Sequence, residues 1–324
     1  MHKLTALALI ALVALLSACS VVATPAPAPL ASASAPLPPT FHPLPTRAPA
    51  VSPFDQAKLG TFERNITYCT SDGIALTLDM QYPQAMSQPA PIAVYVHGGS
   101  WSSGDKNDWH GMIDAPELLS RGYLVASVDY RHAPEWKFPT QIEDVKCAIR
   151  FLRANAARFN LDPNRIGAWG HSAGGHLVSM LGTTDVGAGF EGEGGYPDQS
   201  SRVQAVVDLG GRADLRGMPA DKAISVFGVT DPSVHLLAHS SPVTFVTQDD
   251  PPFLILHGEQ DTVVPPGVSQ ELYDKLCSAG VPAQLVMVKN ADHNFSPVDG
   301  VMSPSRSEIT GMIAGFFDEH LRQP

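Results

Sequence analysis

A serine flanked by glycines constrains the fold of this chain more than any other feature. Residues 170–174 read Gly-His-Ser-Ala-Gly, the pattern G-x-S-x-G, in which a strand turns sharply into a helix. Such a turn strains the backbone at the serine, and glycine two positions away on either side prevents a collision. The run 165–169 has the character of a strand, and 173–181 that of a helix. The sequence therefore predicts that Ser172 ends a strand with its hydroxyl exposed.

Strands and helices alternate along most of the chain. Further strands are expected at 91–97, 123–130, 203–209, 253–257 and 283–288, helices at 141–158, 270–278 and 307–321, and a hairpin within 66–80. This alternation predicts one α/β domain with a mostly parallel central sheet flanked by helices. Segments 185–202 and 216–240 interrupt it, and we expect them either to form small cap insertions or to be surface loops.

A base and an acid are needed for Ser172 to act as a nucleophile, because a serine hydroxyl is unreactive until its proton is removed. His293 follows the last predicted strand and is the expected base. Asp261, just past an earlier strand, is expected to orient that histidine and to stabilise its charged form. Glu259 and Asp292 remain alternatives for the acid. In proteins with this strand-to-helix turn, the three residues follow the order Ser, Asp or Glu, and His along the chain, and the same order is found here.

Backbone donors for a developing oxyanion are expected after the strand at 91–97. Residues 97–101 read His-Gly-Gly-Ser-Trp, and the glycines allow the backbone to approach a substrate closely. The N–H of Ala173, next to the serine, is expected to supply a further donor.

Taken together, the motifs resemble the hormone-sensitive-lipase-like and feruloyl/acetyl-esterase branch of the α/β-hydrolase superfamily. The resemblance extends from about residue 66 to the C-terminus. By position it places the oxyanion donors at Gly99 and Ser100, with Ala173. Many lipase-like relatives have glycine where this chain has Ser100, which preserves the N–H but alters the pocket. The resemblance also suggests that Trp101 and Trp169 line the substrate pocket, although both could equally pack in the core.

The reaction expected from these residues is hydrolysis of a carboxylic ester through an acyl-enzyme. Short-chain acyl (acetyl) or feruloyl esters, including those of plant polysaccharide, are the expected substrates. Alternatives are a serine peptidase of the prolyl-oligopeptidase type, a lipase, and a non-catalytic ligand-binding module on the same fold. No metal or cofactor is implied. The net charge of −11 and the absence of a basic run argue against a nucleic-acid partner.

The N-terminus has the features of an export signal. Residues 1–18 combine a charged start with a short apolar run, and the Leu-Ser-Ala-Cys sequence at 16–19 resembles a bacterial lipobox with Cys19 as the lipidated residue. Residues 19–54, with ten prolines between 21 and 53, are expected to form a disordered tether. The catalytic domain is then 55–324. We therefore expect an exported, membrane-anchored lipoprotein of the bacterial cell envelope.

Three further cysteines, Cys69, Cys147 and Cys277, follow the lipobox. Their spacing is not that of a metal site, and we expect buried thiols, although export would permit one disulfide.

Overall fold

The computed structural model describes residues 20–21, 60–86, 88–108 and 114–322. The predicted signal peptide, Cys19 and nearly all of the predicted tether lie outside these residues. Ser20–Val21 is the part of the tether that is described, and it forms a short strand at the edge of the sheet, which the interpretation as a disordered tether did not anticipate. None of the helices in the described ranges has the length and apolar character needed to cross a bilayer.

The elements alternate in the order expected for an α/β domain. The described strands are β1 (Ser20–Val21), β2 (Phe62–Ser71), β3 (Ile74–Gln81), β4 (Ala90–Val96), β5 (Leu124–Val128), β6 (Leu161–His171), β7 (Ala205–Leu209), β8 (Phe253–Gly258) and β9 (Ala283–Val288). The described α-helices are α1 (Ala115–Ser120), α2 (Thr140–Ala154), α3 (Ala156–Phe159), α4 (Ala173–Thr183), α5 (Ala220–Phe227), α6 (Val234–His239), α7 (Gly267–Ala279) and α8 (Arg306–Leu321). The helix predicted over 141–158 is divided at Asn155, whose side chain bonds to the carbonyl of Phe151 and so competes with the helical hydrogen bonds.

One sheet runs through the domain in the order β1-β9-β8-β7-β6-β4-β5-β3-β2. The first seven strands in this order, which end with β5, all pair parallel with their neighbours among the seven. The strand β3 pairs antiparallel with both β5 and β2. The predicted α/β-hydrolase architecture is therefore confirmed. The central strand is β6, which carries Ser172 immediately after its last residue.

Both faces of the sheet are covered, as the apolar strand β4 illustrates. All seven of its residues are buried. Ile92 and Val94 face a hydrophobic cluster that includes residues of α2, α4 and α7, while Ala93 and Tyr95 face a second cluster with α1 and α8. A continuous apolar strand is what burial on two faces requires.

Two of the three cysteines after the lipobox pair with each other. Cys69 on β2 and Cys147 on α2 form a disulfide. The expectation of buried thiols was wrong. The sequence could not reveal the pair, because 78 residues separate the two cysteines and only the packing of α2 against the β2–β3 hairpin brings them together.

The two segments that interrupt the alternation are built differently. Segment 185–202 is pinned to α2 by Glu191, whose carboxylate receives hydrogen bonds from the buried Lys146 at 2.7 Å and Arg150 at 2.6 Å. Segment 216–240 contains α5 and α6 and exposes the apolar side chains of Ile224 and Val234. Neither segment supplies a residue to the cavity beside Ser172 described below.

The carboxyl ends of the parallel strands bring the predicted site residues to one edge. Ser172 follows β6, Asp261 follows β8 and His293 follows β9, while the glycine pair at 98–99 follows β4. Because these strands are neighbours in the sheet, residues far apart in sequence meet at that edge.

Candidate active site

Ser172 occupies the turn between β6 and α4 in the strained conformation that the motif predicts. Its φ is +58° and its ψ −117°, a combination that costs a non-glycine residue on the order of 1–3 kcal/mol. A Cβ at Gly170 would collide with the backbone of Gly174, and one at Gly174 with the carbonyl of Val96. The glycines are therefore required by the close approach of β4, β6 and α4.

Ser172, His293 and Asp261 form a continuous chain of hydrogen bonds. Nε2 of His293 lies 2.8 Å from Oγ of Ser172, and Nδ1 of the same ring lies 2.6 Å from Oδ2 of Asp261. The alternative acid Asp292 accepts instead from the backbone N–H groups of Asn294 and Ser296. Of the three acids considered from the sequence, the structure brings Asp261 to the histidine.

Asp261 is held as a carboxylate. Burial opposes its ionisation, but hydrogen bonds from His257, His293 and the Val264 N–H outweigh burial and hold the pKa of Asp261 well below its usual range. Its Oδ1 accepts from the N–H groups of Val263 and Val264, each at 2.8 Å. The negative charge beside His293 therefore persists at any pH at which a folded enzyme would be assayed.

The loop after β4 is anchored first through Gly98. Nδ1 of His97 donates to the Gly98 carbonyl at 2.7 Å, and the hydroxyl of Tyr130 donates to the His97 carbonyl at 3.1 Å. The rings of His97 and Tyr130 stack with their centroids 4.3 Å apart. Across a trans peptide the N–H points opposite to the C=O, so the N–H of Gly99 points away from this anchor.

The peptide between Gly99 and Ser100 is also held through its carbonyl group. The Gly99 carbonyl accepts from the N–H groups of Ser102 and Ser103 at 3.0 and 3.1 Å, so the N–H of Ser100 points away from that turn. Gly99 has a φ of +113° and Ser100 a φ of +54°. Within the described part of the chain, the N–H groups of Gly99, Ser100 and Ala173 have no hydrogen-bond acceptor. All three predicted donors are thus unused by the fold.

A cavity of about 340 Å³ opens beside Ser172. Its described lining combines the two sides of the site: Gly98, Gly99, Ser100, Ser103, Gly104, Asp108, His171, Ser172, Val263, His293 and Asn294. Most of these side chains are polar or absent, so the cavity presents hydrogen-bonding groups and exposed backbone around the serine.

The two tryptophans proposed for the pocket belong to the core. Trp169 is fully buried on β6 and packs against Tyr95 and Phe317. Trp101 is 5% exposed and donates from Nε1 to Nδ1 of His176 at 3.1 Å. Neither tryptophan is among the described residues that line the cavity. Of the two alternatives that the sequence left open for them, the structure shows core packing, because strand alternation turns Trp169 to the far face and the left-handed turn at 100–101 directs Trp101 inward.

Residues that the sequence analysis did not select also support the site. His257, at the end of β8, lies 3.1 Å from Oδ2 of Asp261. His171 donates from Nε2 to the His293 carbonyl at 2.8 Å and lines the cavity. Their position was the only sequence signal for them, since each histidine is the last or next-to-last residue of a strand and lies within four residues of a predicted site residue.

Comparison with known proteins assigns the family. A family model described as BD-FAE matches residues 78–276. The chain belongs to the BD-FAE family. This is a hormone-sensitive-lipase-like family of α/β-hydrolases, so the predicted resemblance is confirmed.

Named relatives of this BD-FAE protein are esterases. Esterase LipC of Mycobacterium tuberculosis is 32% identical over 270 residues, which are 80% of this chain and 66% of LipC. A solved truncated form of a carbohydrate esterase from gut microbiota has a TM-score of 0.72 at 30% identity, covering 82% of this chain and 98% of that one. Esterase 2 of Thermogutta terrifontis, at 24% identity and a TM-score of 0.67 over 80% of this chain and 94% of that one, shares the fold.

The curated relatives are longer than the aligned region. This chain spans 45% to 66% of the length of the first three. Their names support the prediction of an ester hydrolase and leave the substrate to be argued from the site.

Proposed function

We propose that this protein is a serine carboxylesterase in which Ser172 is the nucleophile, His293 the general base and Asp261 the orienting acid. The observation that carries the proposal is the hydrogen-bond chain from Asp261 through His293 to Ser172, with separations of 2.6 and 2.8 Å. The 2.8 Å separation suits proton transfer between Ser172 and His293, and the 2.6 Å separation lets Asp261 orient the imidazole ring. The strained backbone at Ser172 adds support, because such strain is characteristic of functional sites.

In the first step, Oγ of Ser172 attacks the carbonyl carbon of the ester while its proton passes to Nε2 of His293. The tetrahedral intermediate collapses, and the alcohol leaves with the proton from His293. Water then attacks the acyl-enzyme, its proton passes to the same nitrogen, and the acid is released as Ser172 recovers its proton. Asp261 keeps Nδ1 of His293 protonated throughout and stabilises the imidazolium.

The oxyanion of each intermediate is stabilised by the N–H groups of Gly99, Ser100 and Ala173. Their hydrogen-bonding capacity is not used within the described fold, and the carbonyls of Gly98 and Gly99 are fixed by other donors. Donors that are already oriented need no reorganisation during the reaction, which is why each such bond contributes strongly to the rate.

The substrates we propose are short-chain acyl (acetyl) esters or feruloyl esters of a polar alcohol, such as those of plant polysaccharide. The polar side chains of Ser103, Asp108 and Asn294 in the cavity lining support a hydroxyl-rich leaving group. The gut carbohydrate esterase at 30% identity supports the same class.

A substrate panel with a matched variant tests the proposal. The purified protein is assayed on 4-nitrophenyl acetate, longer acyl esters, acetylated xylan, methyl ferulate and a prolyl peptide amide. We expect hydrolysis of the short ester and of acetylated xylan or methyl ferulate, and Ser172→Ala should retain less than about one thousandth of the rate. Activity retained by Ser172→Ala, or preference for the amide, would contradict it.

We also propose that the protein is exported and anchored through a lipid on Cys19. The apolar run before it and the Leu-Ser-Ala-Cys sequence at 16–19 support this. Mass spectrometry of the mature N-terminus should find a diacylglyceryl-modified Cys19. A cysteine that is unmodified, or that is joined in a disulfide, would overturn the anchor.

A further inference from the structure

His257 is a buried histidine whose two ring nitrogens both have partners. It is the last residue but one of β8 and is fully shielded from solvent. Its Nε2 lies 2.9 Å from the Val264 carbonyl and 3.1 Å from Oδ2 of Asp261. A carbonyl and a carboxylate can only accept hydrogen bonds, so Nε2 must carry a hydrogen and donate towards both.

Ser269, at the start of α7, engages the other ring nitrogen. Its hydroxyl lies 2.7 Å from Nδ1 of His257, and its side chain is also fully buried. With the hydrogen of the neutral ring on Nε2, Nδ1 is an acceptor and the Ser269 hydroxyl donates to it. The acceptors at Nε2 fix the tautomer of His257 that can donate to Asp261, and the Ser269 hydroxyl supplies the hydrogen bond that Nδ1 accepts in that tautomer.

This contact completes the hydrogen bonding of the Asp261 carboxylate. Oδ1 accepts hydrogen bonds from the N–H groups of Val263 and Val264. Oδ2 accepts hydrogen bonds from the rings of His293 and His257. Rotation of the carboxylate would break several of these bonds together, so its orientation towards His293 is fixed on both oxygens.

We propose that His257, whose ring is held by the acceptors at Nε2 and by the Ser269 hydroxyl at Nδ1, is a positioning residue for the catalytic acid. It donates a second hydrogen bond to the oxygen of Asp261 that orients His293, and so fixes that oxygen and disperses its charge. This inference rests on the proposed function, because it assigns Asp261 as the acid of the esterase.

Two further charged groups act on this pair. Asp208 lies on β7 and interacts electrostatically with His257, and Arg212, just after β7, interacts with Asp261. Asp208 is separately bonded to the Ser179 hydroxyl at 2.9 Å and to the Gly211 N–H at 2.7 Å. Both remain in place in the variants below.

A pair of amide variants separates the donated bond from packing. The amide of His257→Gln can reach the position of Nε2 and donate to Asp261, whereas that of His257→Asn reaches only the position of Nδ1. We expect kcat on 4-nitrophenyl acetate to fall about tenfold in His257→Asn, with KM changed less than about twofold, and to stay within about threefold in His257→Gln. The acid limb of kcat/KM in His257→Asn should move to higher pH, because Oδ2 then concentrates its charge on His293.

Either of two results would overturn the inference: a wild-type kcat and pH profile in His257→Asn, or an equal loss in both variants. If His257→Asn does not fold, Ser269→Ala carries the test, with kcat falling about twofold to fivefold at constant KM; an unchanged kcat there contradicts the role of Ser269. Ser172→Ala is assayed alongside. Activity in that variant would refute the proposed function itself, which is a different outcome from failure of the His257 pair.

Discussion

The two sides of the site are held by different kinds of interaction. On the acid–base side, Asp261, His293 and Ser172 are linked through side-chain atoms. On the side of the proposed oxyanion donors, called the oxyanion side below, the loop from Gly98 to Ser100 is held through its own carbonyl groups and through positive φ angles. Substitutions should therefore act through side-chain chemistry on the first side and through backbone conformation on the second.

The largest effect should come from Asp261→Asn. The carboxylate only accepts hydrogen bonds, whereas an amide has one accepting oxygen and an NH₂ donor. The amide therefore favours the wrong tautomer of His293, so kcat should fall by about 10⁴-fold with little change in fold. The measurement is kcat and KM on 4-nitrophenyl acetate. Glu259→Gln is the matched control, since Glu259 is exposed in the same loop. Comparable losses in both variants would mean that the acid has been misassigned.

Gly99→Ala should have the second largest effect and would act through the backbone. Gly99 has a φ of +113°, and a Cβ there would collide with the Ser103 carbonyl. The loop must shift, and loss of an oxyanion donor should lower kcat by about 10²- to 10³-fold while KM changes little. Gly300→Ala is the control, because Gly300 also has a positive φ of +96° but a Cβ there would meet only Nδ2 of Asn290, at an ordinary contact distance of 3.8 Å. A wild-type kcat in Gly99→Ala would show that the loop is not needed for catalysis.

The stability that the buried His176 gives to the loop after β4 should depend on pH. His176 accepts from Trp101 and donates to the Ser240 carbonyl at 2.8 Å, and burial lowers the pKa of His176 from 6.5 to about 4. Between these values the unfolded chain binds a proton that the folded protein excludes. The free energy of unfolding should therefore fall by about 2 kcal/mol from pH 7 to pH 5 through this residue.

Denaturant unfolding at several pH values measures this contribution. His176→Asn should show a shallower decline of the free energy of unfolding with falling pH, whatever its stability at pH 7. His235→Asn, at an exposed histidine on α6, should keep the wild-type slope. An unchanged slope in His176→Asn would mean that His176 does not titrate differently in the folded and unfolded states.

The same contrast explains what the sequence could predict. Ser172, Asp261 and His293 were predictable because each follows an apolar strand, and parallel strands end at a common edge. Gly99 was predictable because only backbone N–H groups are needed there. Motif and chain order together thus predict the parts of the site that depend on strand ends.

The supporting contacts were not predictable in the same way. The partner of Cys69, the inward direction of Trp101 and the pairing of His257 with Ser269 depend on how helices and loops pack. None of these contacts has a local sequence signature, because each joins residues on different elements. Such contacts follow from tertiary packing, which a single sequence does not encode in any short pattern.

The smallest effect should come from Ser100→Gly, which distinguishes a backbone role from a side-chain role on the oxyanion side. Ser100 has a φ of +54°, and glycine adopts that conformation without steric cost, so the free energy of unfolding should rise by up to about 1 kcal/mol. The N–H is retained, so kcat on 4-nitrophenyl acetate should stay within about threefold of wild type. Ser102 lies in the same loop without a positive φ, so the free energy of unfolding of Ser102→Gly should instead fall by about 0.5–1 kcal/mol. A loss of activity in Ser100→Gly as large as that in Gly99→Ala would show that the Ser100 side chain is itself required, and the contrast between the two sides would fail.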